Sequence, residues 1–390
     1  MKRIFILIFL ISILLPGLFP HSWMTASAGI LPVRHRDTLC GTWTVVSSPN
    51  PGSSSNFLNA VAAIGTGNAW AVGSYGNGNG SFPLIEHWSN SRWTVTPGPA
   101  ISGSLAGVAA IAANNIWAVG ENDSSTVQQT LVERWNGTQW SVVSSPNSGS
   151  QGSTLSALSA ISAQDIWAVG VSTNASGYHP LIEHWNGTTW SIVTIPAVSG
   201  QLHSVSAAGP NDVWAVGAYN VPNFTSTLIE HWNGTRWSIV SSPNSINPIN
   251  NLNSVVSISQ NNVWAAGDYT NSPAPSAEYT PLIEHWNGAS WSIVNSPLQG
   301  TSDFVNGMAA ITLNNITVVG DYRSSIDSQG PYFTLVERWN GTRWSVLNSP
   351  SPGSIDSDLV AASGIPPTNH IWAVGSIYDG FTYQTLVEKC

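Results

Sequence analysis

The strongest constraint on this chain is that it repeats. The stretch Asn115 to Asn147, NIWAVGENDSSTVQQTLVERWNGTQWSVVSSPN, returns in close copies down to Cys390, at spacings from 47 residues (Trp70 to Trp117) to 55 (Thr317 to Trp372). Each copy is one supersecondary unit that cannot bury its apolar face alone, so copies must pack on their neighbours. The 390 residues therefore read as one repeat assembly rather than as two or three unrelated domains.

Three landmarks define the unit. The first is Trp-Ala-Val-Gly, beginning at Trp70, Trp117, Trp167, Trp214, Trp264 and Trp372, with Thr317 standing in once. The second, Leu-Ile-Glu-His-Trp or a variant, carries Glu86, Glu133, Glu183, Glu230, Glu284, Glu337 and Glu388. The third, Asn-Gly-Thr-x-Trp-Ser-Ile-Val or similar, carries Trp93, Trp140, Trp190, Trp237, Trp291 and Trp344, and its remaining copy, Trp43, lies at the other end of the chain. Between turn residues each unit reads as four short strands, A to D: Leu252 to Ser259, Val263 to Gly267, Leu282 to Trp286 and Trp291 to Val294 in one copy. Short β-branched and Trp-rich runs bounded by Asn, Gly and Pro favour strands over helices. Four antiparallel strands in such a period make a β-propeller blade. The expected fold is all-β, a seven-bladed β-propeller of four-stranded antiparallel blades.

The seventh copy stops at Cys390, after strand C, and the strand D it lacks stands at residues 41–47. The ring is expected to close by pairing this N-terminal outer strand with the C-terminal blade, which removes two exposed sheet edges. Cys40 and Cys390, the two cysteines of the protein, fall at that joint and are expected to form a disulfide.

Ahead of the repeats, Lys2 and Arg3 precede an apolar run from Ile4 to Leu18 and then Ala26-Ser27-Ala28. This is the pattern of a signal peptide at residues 1–28. A disordered leader is expected at 29–39 and the propeller at 40–390, secreted, monomeric and without a membrane span once the signal is removed. Beyond residue 40, seven Lys or Arg face nineteen Asp or Glu. That balance repels phosphate and argues against nucleic acid and anionic membranes as partners.

Trp-Ala-Val-Gly, Glu-His-Trp-Asn-Gly-Thr and the strand D Trp resemble the Kelch repeat, in which a strand ending in Gly-Gly is followed by an aromatic, a polar turn and a Trp. Here Val replaces the first Gly of the pair and Trp stands where Kelch repeats carry Tyr. The resemblance covers residues 41–390 and implies the four-strand blade and its strand order.

The shared slots read as scaffold. All nineteen Trp beyond residue 40 occupy the same three positions of the unit, where packing between blades is the economical role. The Glu after them recurs in every copy, and its neighbour is His87, His184, His231 or His285 in some copies but Arg134, Arg338 or Lys389 in others, which is not a metal-ligand pattern. Asn-Gly-Thr at Asn136, Asn186, Asn233 and Asn340 reads as a two-residue hairpin turn between strands C and D rather than a glycosylation site. No His-Glu-x-x-His, Gly-x-Ser-x-Gly or phosphate-binding glycine loop occurs. No catalytic residue, metal ligand or cofactor is expected.

The variable slots read as function. The B-to-C and D-to-A loops share one face of a propeller, and every Tyr falls between strands B and C on this reading: Tyr75, Tyr178, Tyr219, Tyr269, Tyr279, Tyr322, Tyr332, Tyr378 and Tyr383. The same loops hold Asp268, Asp321, Asp356, Asp358 and Asp379, together with Phe57, Phe304 and Phe381. Tyr among Asp, Asn and Ser on a rigid scaffold suits recognition. The expectation is non-enzymatic binding of an extracellular glycan, with ligand contacts from Tyr75, Tyr178, Tyr219, Tyr269, Tyr279, Tyr322, Tyr332, Tyr378, Asp268, Asp321 and Asp379. An extracellular protein-binding scaffold is the second reading. A hydrolase or lyase using acidic residues near the central channel is the third, to be judged by whether Asp268, Asp321 and Asp379 come together.

Overall fold

The computed structural model describes residues 40 and 42–390 apart from 223, 271, 273–276 and 325–329; the expected signal peptide and leader lie outside the described residues. Twenty-eight strands and no helix occur among them. A short strand β1 (Thr44–Val45) precedes the units. Unit 1 is β2 (Ser55–Gly65), β3 (Asn68–Gly76), β4 (Ser81–Ser89) and β5 (Arg92–Val95). Unit 2 is β6 (Gly103–Ala112), β7 (Asn115–Asn122), β8 (Gln129–Trp135) and β9 (Trp140–Val142). Unit 3 is β10 (Gly152–Ser162), β11 (Asp165–Asn174), β12 (Gly177–Trp185) and β13 (Trp190–Ile192). Unit 4 is β14 (Gly200–Gly209), β15 (Asp212–Val221), β16 (Phe224–Trp232) and β17 (Trp237–Ile239). Unit 5 is β18 (Ile249–Ser259), β19 (Asn262–Thr270), β20 (Tyr279–Trp286) and β21 (Trp291–Ile293). Unit 6 is β22 (Ser302–Thr312), β23 (Asn315–Arg323), β24 (Tyr332–Trp339) and β25 (Trp344–Val346). Unit 7 is β26 (Asp356–Gly364), β27 (Ile371–Tyr378) and β28 (Tyr383–Lys389), and the fourth strand beside β28 is β1, with Thr44 opposite Lys389 and Val45 opposite Glu388. Cys40 and Cys390 are disulfide-bonded there, their Cα atoms 5.4 Å apart.

Pairing within each unit is antiparallel, in the order A-B-C-D. Strand B is the most deeply set, with Ala69, Trp70, Ala71 and Val72 at most 1% exposed in unit 1. Its Trp also meets indoles of the next unit. Trp70 meets Trp140 edge-on at 5.4 Å, Trp214 meets Trp291 at 5.4 Å, and Trp372 of unit 7 meets Trp93 of unit 1 at 5.2 Å. The interface between first and last units thus repeats the contact found between sequence neighbours, and one apolar cluster joins Leu58, Trp88 and Trp93 to Trp372, Val374 and Val387.

The slot after Glu explains why His, Arg and Lys alternate there. His87 lies flat on Trp70 at 4.1 Å and His231 on Trp214 at 4.1 Å, while Arg134 covers Trp117 at 5.1 Å and Lys389 lies 5.6 Å from Trp372. Any flat or cationic group that can sit on an indole face satisfies the position. The Asn-Gly-Thr turn corrects the expected two-residue hairpin. Trp135 pairs with Trp140, so four residues intervene, with Gly137 at φ 100° and the Asn136 side chain accepting the backbone N–H groups of Thr138 and Gln139.

All seven landmark Glu are 0% exposed, and no salt bridge involving any of them occurs among the described residues. The Ser48 hydroxyl donates to Glu86, Ser296 to Glu337 and Ser349 to Glu388. Burial pushes these carboxyls up from 4.5, to about 7 for Glu86, Glu133, Glu230, Glu337 and Glu388 and to about 8 for Glu183 and Glu284.

Candidate functional site

Every strand A carries an irregularity at one place, after Leu58, Leu105, Leu155, Leu202, Leu252, Val305 and Leu359. A bulge turns one residue out of the ladder. These residues, Asn59, Ala106, Ser156, His203, Asn253, Asn306 and Val360, line a single cavity of about 240 Å³ with contributions from all seven units. Where the bulge residue has a donor of sufficient reach it bridges to the next unit: Asn59 to the Leu105 carbonyl at 2.8 Å, His203 to Leu252 at 2.9 Å, Asn253 to Val305 at 2.9 Å and Asn306 to Leu359 at 3.1 Å.

The same asparagines reach outward to two carboxylates. Asn253 donates to Asp268 at 3.0 Å and Asn306 to Asp321 at 3.1 Å. Both acids stand directly after the strand B Gly, and both are over nine-tenths buried, at 6% and 8% exposure. Burial raises Asp268 to about 6. It raises Asp321 further, to about 8, because Asp358 and Asp268 add their negative charge to the cost of burial. Asp358, on β26, accepts the Ser376 hydroxyl at 2.7 Å and is also pushed up by burial.

Asp321 and Asp358 open into a second cavity, of about 410 Å³, lined by Phe57, Asp321, Tyr332, Asp356, Asp358, Ser376 and Tyr383. Its wall is built where the ladders of two units touch. Tyr332, at the start of β24, pairs in parallel with Asp356 at the start of β26, and the Tyr332 N–H donates to the Asp356 carboxylate at 3.1 Å. The rings continue beyond the cavity on both sides. Tyr332 is 6.0 Å from Phe304, which lies 4.4 Å from Tyr279; Phe57 is 4.9 Å from Tyr383, which stacks on Tyr378 at 4.7 Å. Arg323 lies over the ring of Tyr332 at 4.1 Å. Exposed Phe381 and Ile355 lie on the adjoining rim of unit 7.

The structure thus gathers Tyr279, Tyr332, Tyr378, Asp268 and Asp321 on one side of the molecule, in units 5 to 7. Tyr75, Tyr219, Tyr269 and Tyr322 occupy one slot of strand B and pack against the apolar clusters of their own units. Tyr178 is 56% exposed in unit 3. Asp379 is part-exposed, held down by the N–H groups of Thr382 and Phe381, so it shapes a turn and does not join Asp268 and Asp321. All nine Tyr lie within strands rather than in loops, because strands B and C run on together, as in Tyr75 opposite Phe82 and Tyr378 opposite Tyr383. Phe57, Asp356, Asp358 and Tyr383 were not singled out as ligand contacts from sequence. Among the described residues no group of three or more His, Cys, Asp or Glu is placed to hold a metal ion.

No known protein-family model matches the chain, and no curated protein matches it in sequence. Solved structures match it in fold. A structure described as YCF48 bound to D1 peptide is similar over 90% of this chain and 96% of its own, at 12% identity and a TM-score of 0.55. The WD40 β-propeller domain of Doa1 is similar over 90% and 97%, at 11% identity and 0.55. A GH74 xyloglucanase from Xanthomonas campestris is similar over 88% of this chain and 55% of its own, at 12% identity and 0.55.

Proposed function

Starting from a β-propeller fold, we propose that the seven units close into a seven-bladed ring through β1, that their repeat is of Kelch-like type, and that the molecule is a secreted, monomeric module that binds an extracellular glycan without transforming it. The observation that carries this reading is the cleft of about 410 Å³ in which the rings of Phe57, Tyr332 and Tyr383 stand against Asp321, Asp356, Asp358 and Ser376. Pyranose rings offer flat C–H faces to aromatics and hydroxyl donors to carboxylates, and this cleft supplies both partners within one rigid wall. The disulfide suits an oxidising, extracellular setting. Among the described residues no helix is long and apolar enough to cross a membrane.

Two other readings have specific support. A similar fold has been solved with a peptide bound, and exposed Phe381 and Ile355 beside the cleft would suit a protein partner. Another neighbour is a glycoside hydrolase, and Asp321, held protonated beside Asp358, is the arrangement from which an acid and a base could act on a glycosidic bond. A glycan array read with the parent protein and a Tyr332→Ala/Tyr383→Ala variant tests the main reading. Specific signals in the parent, lost in the variant, are expected; an array without signal would move the assignment to a protein partner. New reducing ends appearing in any bound oligosaccharide would replace binding by hydrolysis.

A further inference from the structure

We propose that the cleft selects a glycan carrying a free ammonium group, an amino sugar whose nitrogen is not acylated, seated between the rings of Tyr332 and Tyr383 and the carboxylates of Asp321 and Asp358. The inference rests on the glycan-binding reading and names the chemistry that reading leaves open.

Three observations converge on it. The side chains lining the cleft are three aromatics, three carboxylic acids and one serine, and the serine hydroxyl is already given to Asp358. Apart from tyrosine hydroxyls and the one proton held by Asp321, the side chains offer acceptors, so most of the donors must come from the ligand. Asp321 is more than nine-tenths buried, yet only its Oδ1 has a hydrogen-bond partner among the described residues, the amide of Asn306. Its Oδ2 is left for the cavity that the side chain lines. Finally, aromatic faces beside three carboxylic acids, with Arg323 alone as a favourable charge on Asp321 and Asp356, form a setting in which a further cation is bound by both ring quadrupole and charge. A neutral N-acetyl group would place its own carbonyl acceptor among these acids and lose both contributions.

The acidic groups repel one another while the site is empty. Asp321 feels the charges of Asp358 on β26 and Asp268 on β19, shares the cleft with Asp356 and the phenols of Tyr332 and Tyr383, and is partly offset by Arg323, which lies over Tyr332. At neutral pH Asp321 holds a proton in the empty site; an arriving ammonium group stabilises the carboxylate and expels that proton. Binding at pH 7 therefore releases up to one proton, and affinity falls as the pH is lowered through the range in which Asp358 and Asp268 also protonate.

The test is calorimetric titration of the full chain with a glucosamine oligosaccharide and with its fully N-acetylated counterpart, at pH 7, in two buffers of different ionisation heat. Tighter binding of the free amine by about tenfold or more, with buffer-dependent heat showing proton release, is expected from one cation–π and charge-assisted contact. That preference is expected to vanish in Asp321→Asn, and in Asp358→Asn as a second variant should the first fold poorly, while Gln201→Ala in unit 4 keeps it. Equal affinity for the two oligosaccharides would overturn the ammonium inference and leave the glycan reading standing. Binding of neither would remove both. Cleft-dependent binding of oligolysine without either sugar would also overturn it, by assigning the amine to a protein.

Discussion

Units 3 and 4 and units 5 to 7 share one scaffold and differ in the chemistry they carry at equivalent positions. At the position after the strand B Gly, units 3 and 4 carry Val171 and Ala218, whereas units 5 and 6 carry Asp268 and Asp321. On the facing strand A, Thr154 and Gln201 correspond to Asn251, Phe304 and Asp358. Nothing in the packing demands the difference: the strand B Trp of unit 3 is sealed by unit 4 at 5.3 Å much as that of unit 5 is sealed by unit 6 at 5.7 Å. A carboxylate buried without a cation costs free energy that Val171 and Ala218 avoid. The buried Glu recurs in every unit and belongs to the shared scaffold, whereas Asp268 and Asp321 depart from it at this slot in units 5 and 6, and such a departure is where function is to be sought.

The comparison can be broken first at the scaffold. Trp167→Ala and Trp264→Ala remove equivalent indoles from the neutral and the acidic half, and each is expected to cost about 3 to 5 kcal/mol in chemical denaturation. A difference of more than about 2 kcal/mol between them would show that the halves are not equivalent in packing.

Next in size is the effect of pH, which the scaffold should impose on both halves alike. The seven buried Glu have folded values raised from 4.5 to about 7 or 8, so the folded chain binds more protons than the unfolded chain across that window. Their stabilising effect is complete below about pH 4.5 and is lost as pH rises towards 8. A melting temperature on the order of 10 °C lower at pH 8 than at pH 5 is expected by scanning calorimetry, and Glu183→Gln or Glu284→Gln should flatten the slope by similar amounts. A flat profile would contradict the burial of uncompensated carboxyls.

Smaller effects sharpen the functional side. Tyr332→Ala should weaken ligand binding about tenfold, as loss of one stacking face does, with little change in melting temperature because the ring is only part-buried. Smallest of all, Asp321→Ala copies what unit 4 already has at Ala218. It should leave stability at pH 8 unchanged or raise it by about 1 kcal/mol while abolishing the preference for an amine, since Asn306 keeps its bond to the Leu359 carbonyl.

Much of this was legible in the chain. Trp and Glu slots recur because each unit solves the same packing problem, so strand order, the pairing of β1 with β28 and the Cys40–Cys390 bond could all be read from where copies were complete or missing. The cleft was legible only in part. Tyr332 and Asp321 were marked out by composition, but so were Tyr269 and Tyr322, whose slot in strand B turns them onto the core. Period-2 alternation decides that orientation, and it could be applied only once the strands were known to extend through the aromatics. The bulge residues went unseen for a related reason: one extra residue in strand A leaves no gap in a repeat alignment. A signal did exist, in Asn59, His203, Asn253 and Asn306 interrupting otherwise small or apolar runs.

One further property follows from the bond between Cys40 and Cys390. It ties residues 350 apart into a covalent loop that contains every unit. A single proteolytic cut in any connection between units, including those that carry the aromatic rim, opens the loop without releasing a piece, and the nicked molecule still travels as one until it is reduced. The covalent loop therefore survives one such cut as a single connected chain, and the cleft at units 6, 7 and 1 keeps all of its walls on it.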